Sequence, residues 1–346
     1  MPSPCVADSP LDSASKAEDS RTLVRKSLIV FLCMFSSAAF AQEGSRRGLF
    51  FHPDTTFAVR HPYRFTIRPN VGTTFGMFTS QWTTEEGPHD YSLMSSPVFK
   101  AGCSVSYLGL TAGIHRDVKE LFGETEETEF NISGYSSVVG GEVAYSSSYT
   151  HTMSSNAEGE TLWPLPLSGC HTRRFLANAY GVLNPRSFSL PAAFTQRYKQ
   201  LRSASSALIG VSLTGFRMDV DVAQLPPQLT DANAPYDYAH HIIYVTANVG
   251  AGYAYNWVLP DNWMLHASYL HCFSLYHHGE IAFTEGTIPL GHRVNHGGIV
   301  RLGSVWDNHR YFGGFTGTMQ LQWMSHTPLS IFDFYVSTQL FFGFRF

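Results

Sequence analysis

Residues 331–346 at the C-terminus read IFDFYVSTQLFFGFRF, in which aromatic and polar side chains alternate and the last residue is Phe. Successive side chains of a β-strand point to opposite faces, so this stretch has one largely aromatic face and one polar face. The aromatic face carries Phe342, Phe344 and Phe346, and Phe341 is the one misfit on the polar face. Such a strand is typical of outer-membrane β-barrels, where one face meets lipid and the other a wet interior. We therefore predict an all-β fold, a transmembrane antiparallel β-barrel, and interpret the three even-numbered Phe residues as its insertion signal.

The same alternation recurs upstream, most clearly over 311–325 and 243–257, where Trp and Tyr fall towards the strand ends. Amphipathic aromatic rings collect at the two membrane interfaces of such barrels. Period-two alternation along the whole chain predicts about twelve strands. The predicted strands are 64–79, 97–105, 108–116, 127–136, 141–152, 172–184, 205–218, 241–256, 262–275, 296–306, 311–325 and 331–346. An even count is usual for single-chain bacterial barrels.

The predicted connections are alternately long and short, as in barrels with long outer loops and short periplasmic turns. If both chain ends are periplasmic, the long outer loops are 80–96, 117–126, 153–171, 219–240 and 276–295. One connection breaks the rule, because residues 185–204 should form a short periplasmic turn but amount to about twenty residues. The sequence therefore predicts one long segment on the periplasmic side.

The composition excludes several classes of protein. Charged residues make up 14% of the chain, well below the roughly 25% of soluble globular proteins. Transmembrane helices need long apolar runs, which the sequence lacks downstream of residue 45. The net charge of −4 provides no basic footprint for nucleic acid. We expect no disulfide framework, because only Cys103, Cys170 and Cys272 follow the leader; buried free thiols or a single bridge through Cys170 remain the alternatives.

The N-terminal residues resemble an export signal. Basic Arg25 and Lys26 precede the apolar stretch 27–35, and Ala39 and Ala41 form an A-x-A cleavage pattern. We predict an N-terminal extension and secretory signal peptide over 1–41, a short periplasmic lead-in over 42–62 and the barrel over 63–346, in the outer membrane of a Gram-negative bacterium. The polar residues 1–24 indicate either a start assigned too far upstream or an unusually long leader.

The long segment 185–204 is the main functional candidate. It has an apolar side and a locally basic one, and its candidate residues are Phe188, Phe194, Arg197, Lys199, Gln200 and Arg202. One hypothesis is a lumenal constriction or plug whose basic residues favour anions, because rings of Arg or Lys select for negative charge. The alternative is a periplasmic loop whose Phe residues close the barrel end for stability.

The same segment carries a resemblance to a known family. The pattern comprises Tyr180-x-x-x-Asn184, Phe188-Ser189, Ala192-Ala193-Phe194, Gln200 and Ser203-Ala204-Ser205-Ser206. It resembles a family of Bacteroidota proteins known only as a domain of unknown function, number 4421, with a likeness over most of 50–346. The resemblance implies an exported outer-membrane barrel and no activity. The family has a Gly in the small-residue run where this chain has only Ser and Ala, so we expect no tight turn there.

Other polar groups have simple structural explanations. His240-His241, His277-His278, His292 and His296 fall at the predicted outer rim, but adjacent histidines on a strand point to opposite faces, so we expect rim histidines without a metal. Asp219 with Asp221, and the Glu124–Glu129 region, are interpreted as solvated loop residues, with Ca²⁺ or lipopolysaccharide bridging as the alternative. The motifs of serine hydrolases and zinc proteases are missing from the sequence.

The sequence thus predicts an uncharacterised, porin-like barrel that passes or binds a small solute in its lumen. One alternative is a structural or assembly component of envelope complexes. Another is a lipid-active enzyme, which would need a Ser and a His meeting on the lipid face. We expect a monomer without cofactors, in contact with outer-membrane lipid and lipopolysaccharide and inserted by the β-barrel assembly machinery.

Overall fold

The computed structural model describes residues 53–83, 88–118, 128–149, 151–157, 160–167, 169–224, 239–283, 286–291, 295–326 and 329–346. Nearly all of this part is strand. Its strands are β1 (Ala58–Arg60), β2 (Phe65–Thr83), β3 (Pro88–Ser95), β4 (Val98–Tyr107), β5 (Leu110–Asp117), β6 (Thr128–Tyr135), β7 (Val139–Ser148), β8 (His151–Ala157), β9 (Glu160–Leu167), β10 (Cys170–Val182), β11 (Tyr198–Gln200), β12 (Ala204–Val220), β13 (Ala239–Val258), β14 (Trp263–Phe283), β15 (Thr287–Leu290), β16 (His296–Asn308), β17 (Tyr311–His326) and β18 (Leu329–Arg345). A short helix, α1 (Leu190–Phe194), and a 3₁₀ turn, Val222–Gln224, complete the described elements. Among the described residues, no helix is long and apolar enough to span a membrane.

Twelve of these strands form a closed antiparallel barrel. Their order around the ring is β2-β4-β5-β6-β7-β10-β12-β13-β14-β16-β17-β18. The ring closes because β18 pairs with β2, from Ser330 opposite Gln81 to Arg345 opposite Thr66. Each of the twelve predicted strands corresponds to one of these, so the predicted fold class is confirmed.

The last strand shows how the sequence pattern becomes an inside and an outside. Odd-numbered positions such as Asp333 and Arg345 are buried, whereas Phe342 and Phe344 on the other face are exposed on the outer wall. Phe341, the misfit of the pattern, is buried inside. Its ring lies 6.1 Å from that of Phe312 and 5.0 Å from the Arg68 guanidinium. The misfit therefore fills the interior rather than disturbing the wall.

The outer wall carries an apolar band with aromatic residues at both ends. On β17 the outward positions run from Tyr311 to Trp323, both exposed. These twelve residue steps extend about 40 Å along the strand, and a tilt of roughly 40° reduces this to a height of about 30 Å. That height matches the hydrocarbon core of a bilayer. Trp257 and Trp263 are exposed at the same end as Tyr311.

The two ends of the barrel differ. At the terminal end lie both ends of the barrel chain and the short turns 108–109, 136–138, 259–262 and 309–310. At the loop end, the predicted loops 80–96, 153–171 and 276–295 are corrected, because they contain β3, β8, β9, β15 and the extensions of β2 and β14. Alternating apolar residues in these hairpins explain the difference. Tyr91, Leu93 and Met153 are buried in one cluster with Ile242 and Ile281, so pairing continues beyond the band.

Candidate functional site

The chain between β10 and β12, residues 183–203, folds into the terminal end of the barrel; we call it the inserted segment. All five residues of α1 are buried, and all but Pro191 belong to one cluster with inward-facing residues of the wall such as Ile299 and Phe341. Pro191 stands in the first turn of α1, where its missing N–H costs nothing. Thr195 caps the C-terminal end of the helix, and Gln196 follows with φ +50. The apolar pattern Leu-Pro-Ala-Ala-Phe therefore becomes a buried turn of helix inside the barrel.

Wall side chains bind the main chain of the inserted segment. Arg68 of β2 donates to the carbonyl oxygen of Phe194 at 3.0 Å, and Asn256 of β13 donates to that of Ser189 at 3.0 Å. Arg345 of β18 donates to the carbonyl oxygen of Gln196 at 2.8 Å. A buried carbonyl without a partner is costly, so these contacts satisfy a non-helical chain inside the barrel.

Arg345 also connects the inserted segment to the lead-in. Its guanidinium makes a two-pronged ion pair with Asp307, at 2.9 Å for each oxygen, and the same carboxylate lies 2.9 Å from Nε2 of His61. The lead-in strand β1 pairs with β11 of the inserted segment in a separate two-stranded sheet. The last strand, the lead-in and the inserted segment are therefore joined at one place.

The structure separates the apolar and basic residues predicted for this segment. Phe188 and Phe194 are buried. Gln200 is buried as well, and its side chain accepts from the N–H of Ser189 at 3.0 Å and donates to the carbonyl of Ser187 at 2.6 Å. The basic residues lie at the rim of the terminal end: Lys199 donates to Asn262 Oδ1 at 2.6 Å, Arg202 is exposed, and Arg197 is partly buried. Whether any of them lines a pore stays a prediction.

The cations inside the barrel come from the wall instead. Arg301 of β16 bonds Glu142 of β7 at 2.9 Å, across five strand steps of the twelve-strand ring. Tyr135 and Tyr180 also donate to the Glu142 carboxylate, at 2.8 and 3.0 Å. The Arg301 guanidinium lies 3.5 Å from the ring centre of Phe194, so this ion pair lies directly against the inserted segment.

A second ion pair crosses the middle of the barrel. Arg174 of β10 contacts both carboxylate oxygens of Asp333 on β18, at 2.6 and 2.7 Å. The two strands are six steps apart in a ring of twelve, so their residues face each other across the lumen. Tyr244 of β13 donates to the same carboxylate at 2.5 Å. Arg174 also stacks over Phe216, 4.7 Å from its ring centre.

The space beside this pair is small. A cavity of about 40 Å³ is lined by polar residues such as Lys100, Ser146 and Thr172 and by apolar ones such as Leu93 and Phe216. A water needs about 10–15 Å³ by this measure, so the cavity holds a few waters at most and no sizeable solute. On the same polar wall, neither ring nitrogen of buried His115 has a hydrogen-bond partner among the described residues. The interior thus has a polar middle layer between two apolar ends.

These interior residues were not identified from the sequence. Arg68, Arg174 and Arg301 occupy polar positions within alternating strands, and sequence alone does not tell a buried inward arginine from one in a water-filled pore. Their charge is the signal by which the sequence could have identified them. An ionisable residue within a membrane-spanning strand is costly, so its presence indicates a specific role.

The rim residues are distributed as alternation requires. His277 is buried and bonds Thr246 at 2.8 Å, whereas His278 is exposed, so the predicted opposite facing is confirmed. His296 faces outward, and His292 lies outside the described residues. Asp219 bonds Arg217 and His241, at 2.7 and 2.9 Å, while Asp221 accepts from the N–H of Ala223 at 3.1 Å. The described part of the chain contains no group of three or more His, Cys, Asp or Glu residues that could hold a metal.

Three further predictions concern the glutamates near residue 129, the cysteines and a Ser/His pair. Glu129 is buried and lies 3.7 Å from the Lys100 ammonium, whereas Glu124, Glu126 and Glu127 lie outside the described residues, as do Ala39 and Ala41. Cys103, Cys170 and Cys272 are free thiols, of which the last two are buried. The contact between Ser268 and His266, at 3.1 Å, is on the inward face, whereas a lipid-active enzyme needs such a pair on the outward face.

Comparisons with known proteins give one family match and several solved structures of low similarity. The model of a family described as Domain of unknown function (DUF4421) matches residues 52–346, and no curated protein matches the chain. The chain is similar to the outer membrane protease OmpT from Escherichia coli, with a TM-score of 0.36 and 10% identity over 83% of this chain and 98% of that one. It is also similar to the translocator domain of the autotransporter NalP from Neisseria meningitidis (TM-score 0.34, 10% identity, 97% and 98%). A third similar structure is the COG4313 outer membrane channel from Pseudomonas putida F1 (TM-score 0.28, 10% identity, 84% and 99%).

Proposed function

The chain belongs to the DUF4421 family, whose name assigns no activity, and we propose that it is an outer-membrane barrel that admits a small polar solute to its lumen when the inserted segment moves aside. In the arrangement described above the segment acts as a plug. The solute then reaches the polar layer that contains Lys100, Arg174 and His115.

The observation that carries this proposal is that the inserted segment is not part of the wall. β10 and β12, the strands on either side of it, pair directly with each other from Cys170–Val220 to Val182–Leu208. The only strand of the segment, β11, pairs with β1 of the lead-in. The segment can therefore leave the lumen without breaking a hydrogen bond of the barrel ladder. Apart from the main-chain hydrogen bond from Leu183 at its start to Ala207 of β12, at 3.1 Å, the contacts of the segment to the wall involve side chains and can form again.

The same geometry favours an anionic solute. Arg68 is buried, and its guanidinium donates to Phe194 and Gln196, both of the inserted segment. Arg301 and Arg345, in contrast, each have a carboxylate partner on the wall, Glu142 and Asp307. Displacement of the segment would leave Arg68 as a cation without a carboxylate in hydrogen-bond contact. A cation in the lumen that no carboxylate contacts is a local binding site for anions.

A reversible lock tests this proposal. The Cβ of Ala193 lies 4.0 Å from the position that a Cβ on Gly303 would occupy, which is a suitable separation for a disulfide. The double variant Ala193→Cys with Gly303→Cys, with native thiols replaced by Ser, should therefore bind the segment to β16 when oxidised. We expect single-channel conductance in planar bilayers only after reduction. Equal conductance in both redox states would show that passage does not depend on the segment.

Two controls complete the experiment. A variant that lacks residues 186–203 should conduct continuously, provided that heat-modifiable migration on a denaturing gel shows a folded barrel. Arg68→Gln in that background should lower the preference for chloride over potassium, measured as the reversal potential in a salt gradient. Arg310→Gln, an equal charge change at an exposed turn of the terminal end, is the matched control. If neither the reduced protein nor the shortened protein conducts, the proposal is wrong.

A further inference from the structure

Five charged or titratable side chains form one patch on the outside of the barrel near the loop end. The outward patch consists of His171 and Arg173 on β10, Arg217 and Asp219 on β12, and His241 on β13. Strand register places Arg173 opposite Arg217, and His171, Asp219 and His241 in one row. The patch faces outward because the intervening residues Arg174, Met218 and Ile242 are buried inside. The side chains of Arg217 and Asp219 are 39% and 37% exposed.

Arg173 and Arg217 form an unfavourable pair of like charges on neighbouring strands. Like charges directly opposite each other on neighbouring strands destabilise a sheet. Arg217 is neutralised by Asp219, at 2.7 and 3.0 Å. The Arg173 side chain donates a hydrogen bond to Nδ1 of His171, at 3.2 Å. The patch therefore keeps a net positive charge.

The side chains of the patch are held in place by one another. Nδ1 of His171 accepts from Arg173 at 3.2 Å. The Asp219 carboxylate contacts Arg217 at 2.7 and 3.0 Å and Nδ1 of His241 at 2.9 Å, and so orients Arg217. Each arginine therefore has a partner within the patch that restrains its side chain.

The position of the patch on the strands points to the membrane interface. Immediately before the patch, the outward positions of β12 are apolar, with Ile209 and Val211 both more than half exposed. On β13 the outward residues that follow His241 are likewise apolar, including Ile243 and Val245. Apolar outward residues mark the lipid tails, so charged residues directly beyond them lie at headgroup level. In an outer membrane whose loop end faces outward, this is the outer leaflet.

We infer that the outward patch binds the phosphate group of an outer-leaflet glycolipid, with Arg173 and Arg217 as its two ligands. Guanidinium groups bind phosphate through paired, charge-assisted hydrogen bonds. An anion between the arginines would remove their mutual repulsion. Two other outward carboxylates of the described residues leave the site open: Glu280 on β14 is separated from Arg217 by Ile243, and Asp221 bonds Ala223 and Gln224. The inference rests on the outer-membrane location and not on passage through the lumen.

The test measures glycolipid binding by the full-length barrel. The protein is placed in zwitterionic phospholipid vesicles that contain either bisphosphorylated lipid A or the same lipid A without phosphates. Binding is followed by native mass spectrometry and by the urea midpoint of unfolding. We expect retention of the phosphorylated form and about tenfold weaker retention by the double variant Arg173→Gln with Arg217→Gln. Arg310→Gln should bind like the wild type.

Several results would overturn the inference. Equal retention of phosphorylated and dephosphorylated lipid A would exclude phosphate as the recognised group. Equal binding of an anionic phospholipid at the same surface charge, or of free inorganic phosphate alone, would exclude the glycolipid. Full retention by a double variant that still shows heat-modifiable migration would exclude the two arginines. Binding by wild type and Arg310→Gln but not by the folded double variant would support it.

Discussion

The ion pair across the middle of the barrel allows a sharp test of the fold and of the filled lumen. Asp333→Asn keeps the shape of the side chain and removes its charge. Arg174 would then be a buried cation whose two contacts at 2.6 and 2.7 Å no longer meet a carboxylate. Tyr244 would lose a charged acceptor as well. Removing one partner of a buried ion pair costs about 3–5 kcal/mol in unfolding free energy.

For Asp333→Asn we expect a loss of unfolding free energy in the lower part of that range. The Arg174 guanidinium retains its position over Phe216 and Tyr335, 4.7 and 5.0 Å from their ring centres, and a desolvated contact of this kind contributes up to about 2 kcal/mol. We therefore expect a loss of about 3 kcal/mol for Asp333→Asn. Replacing both partners, Arg174→Met with Asp333→Leu, should cost much less, because a buried pair exchanged for apolar residues is often near neutral.

The assay is urea unfolding of the detergent- or vesicle-bound protein, followed by tryptophan fluorescence and gel migration. The quantity that decides is the coupling energy from the double-mutant cycle of Arg174→Met and Asp333→Leu. We expect the sum of the single losses to exceed the loss in the double variant by about 1–3 kcal/mol. Additive losses, or a single variant within about 0.5 kcal/mol of wild type, would mean that the side chains do not meet across the lumen.

Three further predictions concern the wall, its closure and its outer face. Gly252→Ala would bring a Cβ into the Tyr269 carbonyl oxygen, so we expect a urea midpoint lower by the equivalent of about 1–3 kcal/mol, whereas Gly286→Ala, with nothing within 4 Å, should match the wild type. Deletion of Phe346 removes two main-chain hydrogen bonds to Phe65, each 3.0 Å, and the contact between the two rings. We therefore expect less heat-modifiable barrel to form in vesicles. An unchanged yield would argue against a role of Phe346 in insertion. Cys103 faces outward on the lipid side, while the other two described thiols are buried. A lipid-soluble maleimide should therefore label Cys103 alone in vesicles. Labelling by a charged, water-soluble reagent instead would place Cys103 outside the bilayer.

Much of the fold could be predicted because local alternation and membrane geometry determine it. Trp323 and Tyr311, twelve residue steps apart on β17, show the period and the length that a membrane imposes on a strand. The candidate site could not be predicted in the same way. Phe188 and Phe194 were singled out by the unusual length of their segment. The wall residues that contact the segment, Arg68, Arg301 and Arg345, are far away along the chain. No local pattern relates such residues.

The sequence by itself determined the twelve strands of the ring, their faces and the presence of one exceptional segment, because side chains alternate with period two and lipid accepts only apolar groups on the outer face. Only the tertiary structure decided which polar residues meet: that Arg174 reaches Asp333 across the ring, that Arg345 joins Asp307 to the inserted segment, and that Arg173 stands opposite Arg217. The reason is physical, because barrel closure and strand register determine these distances, and both are properties of the whole ring.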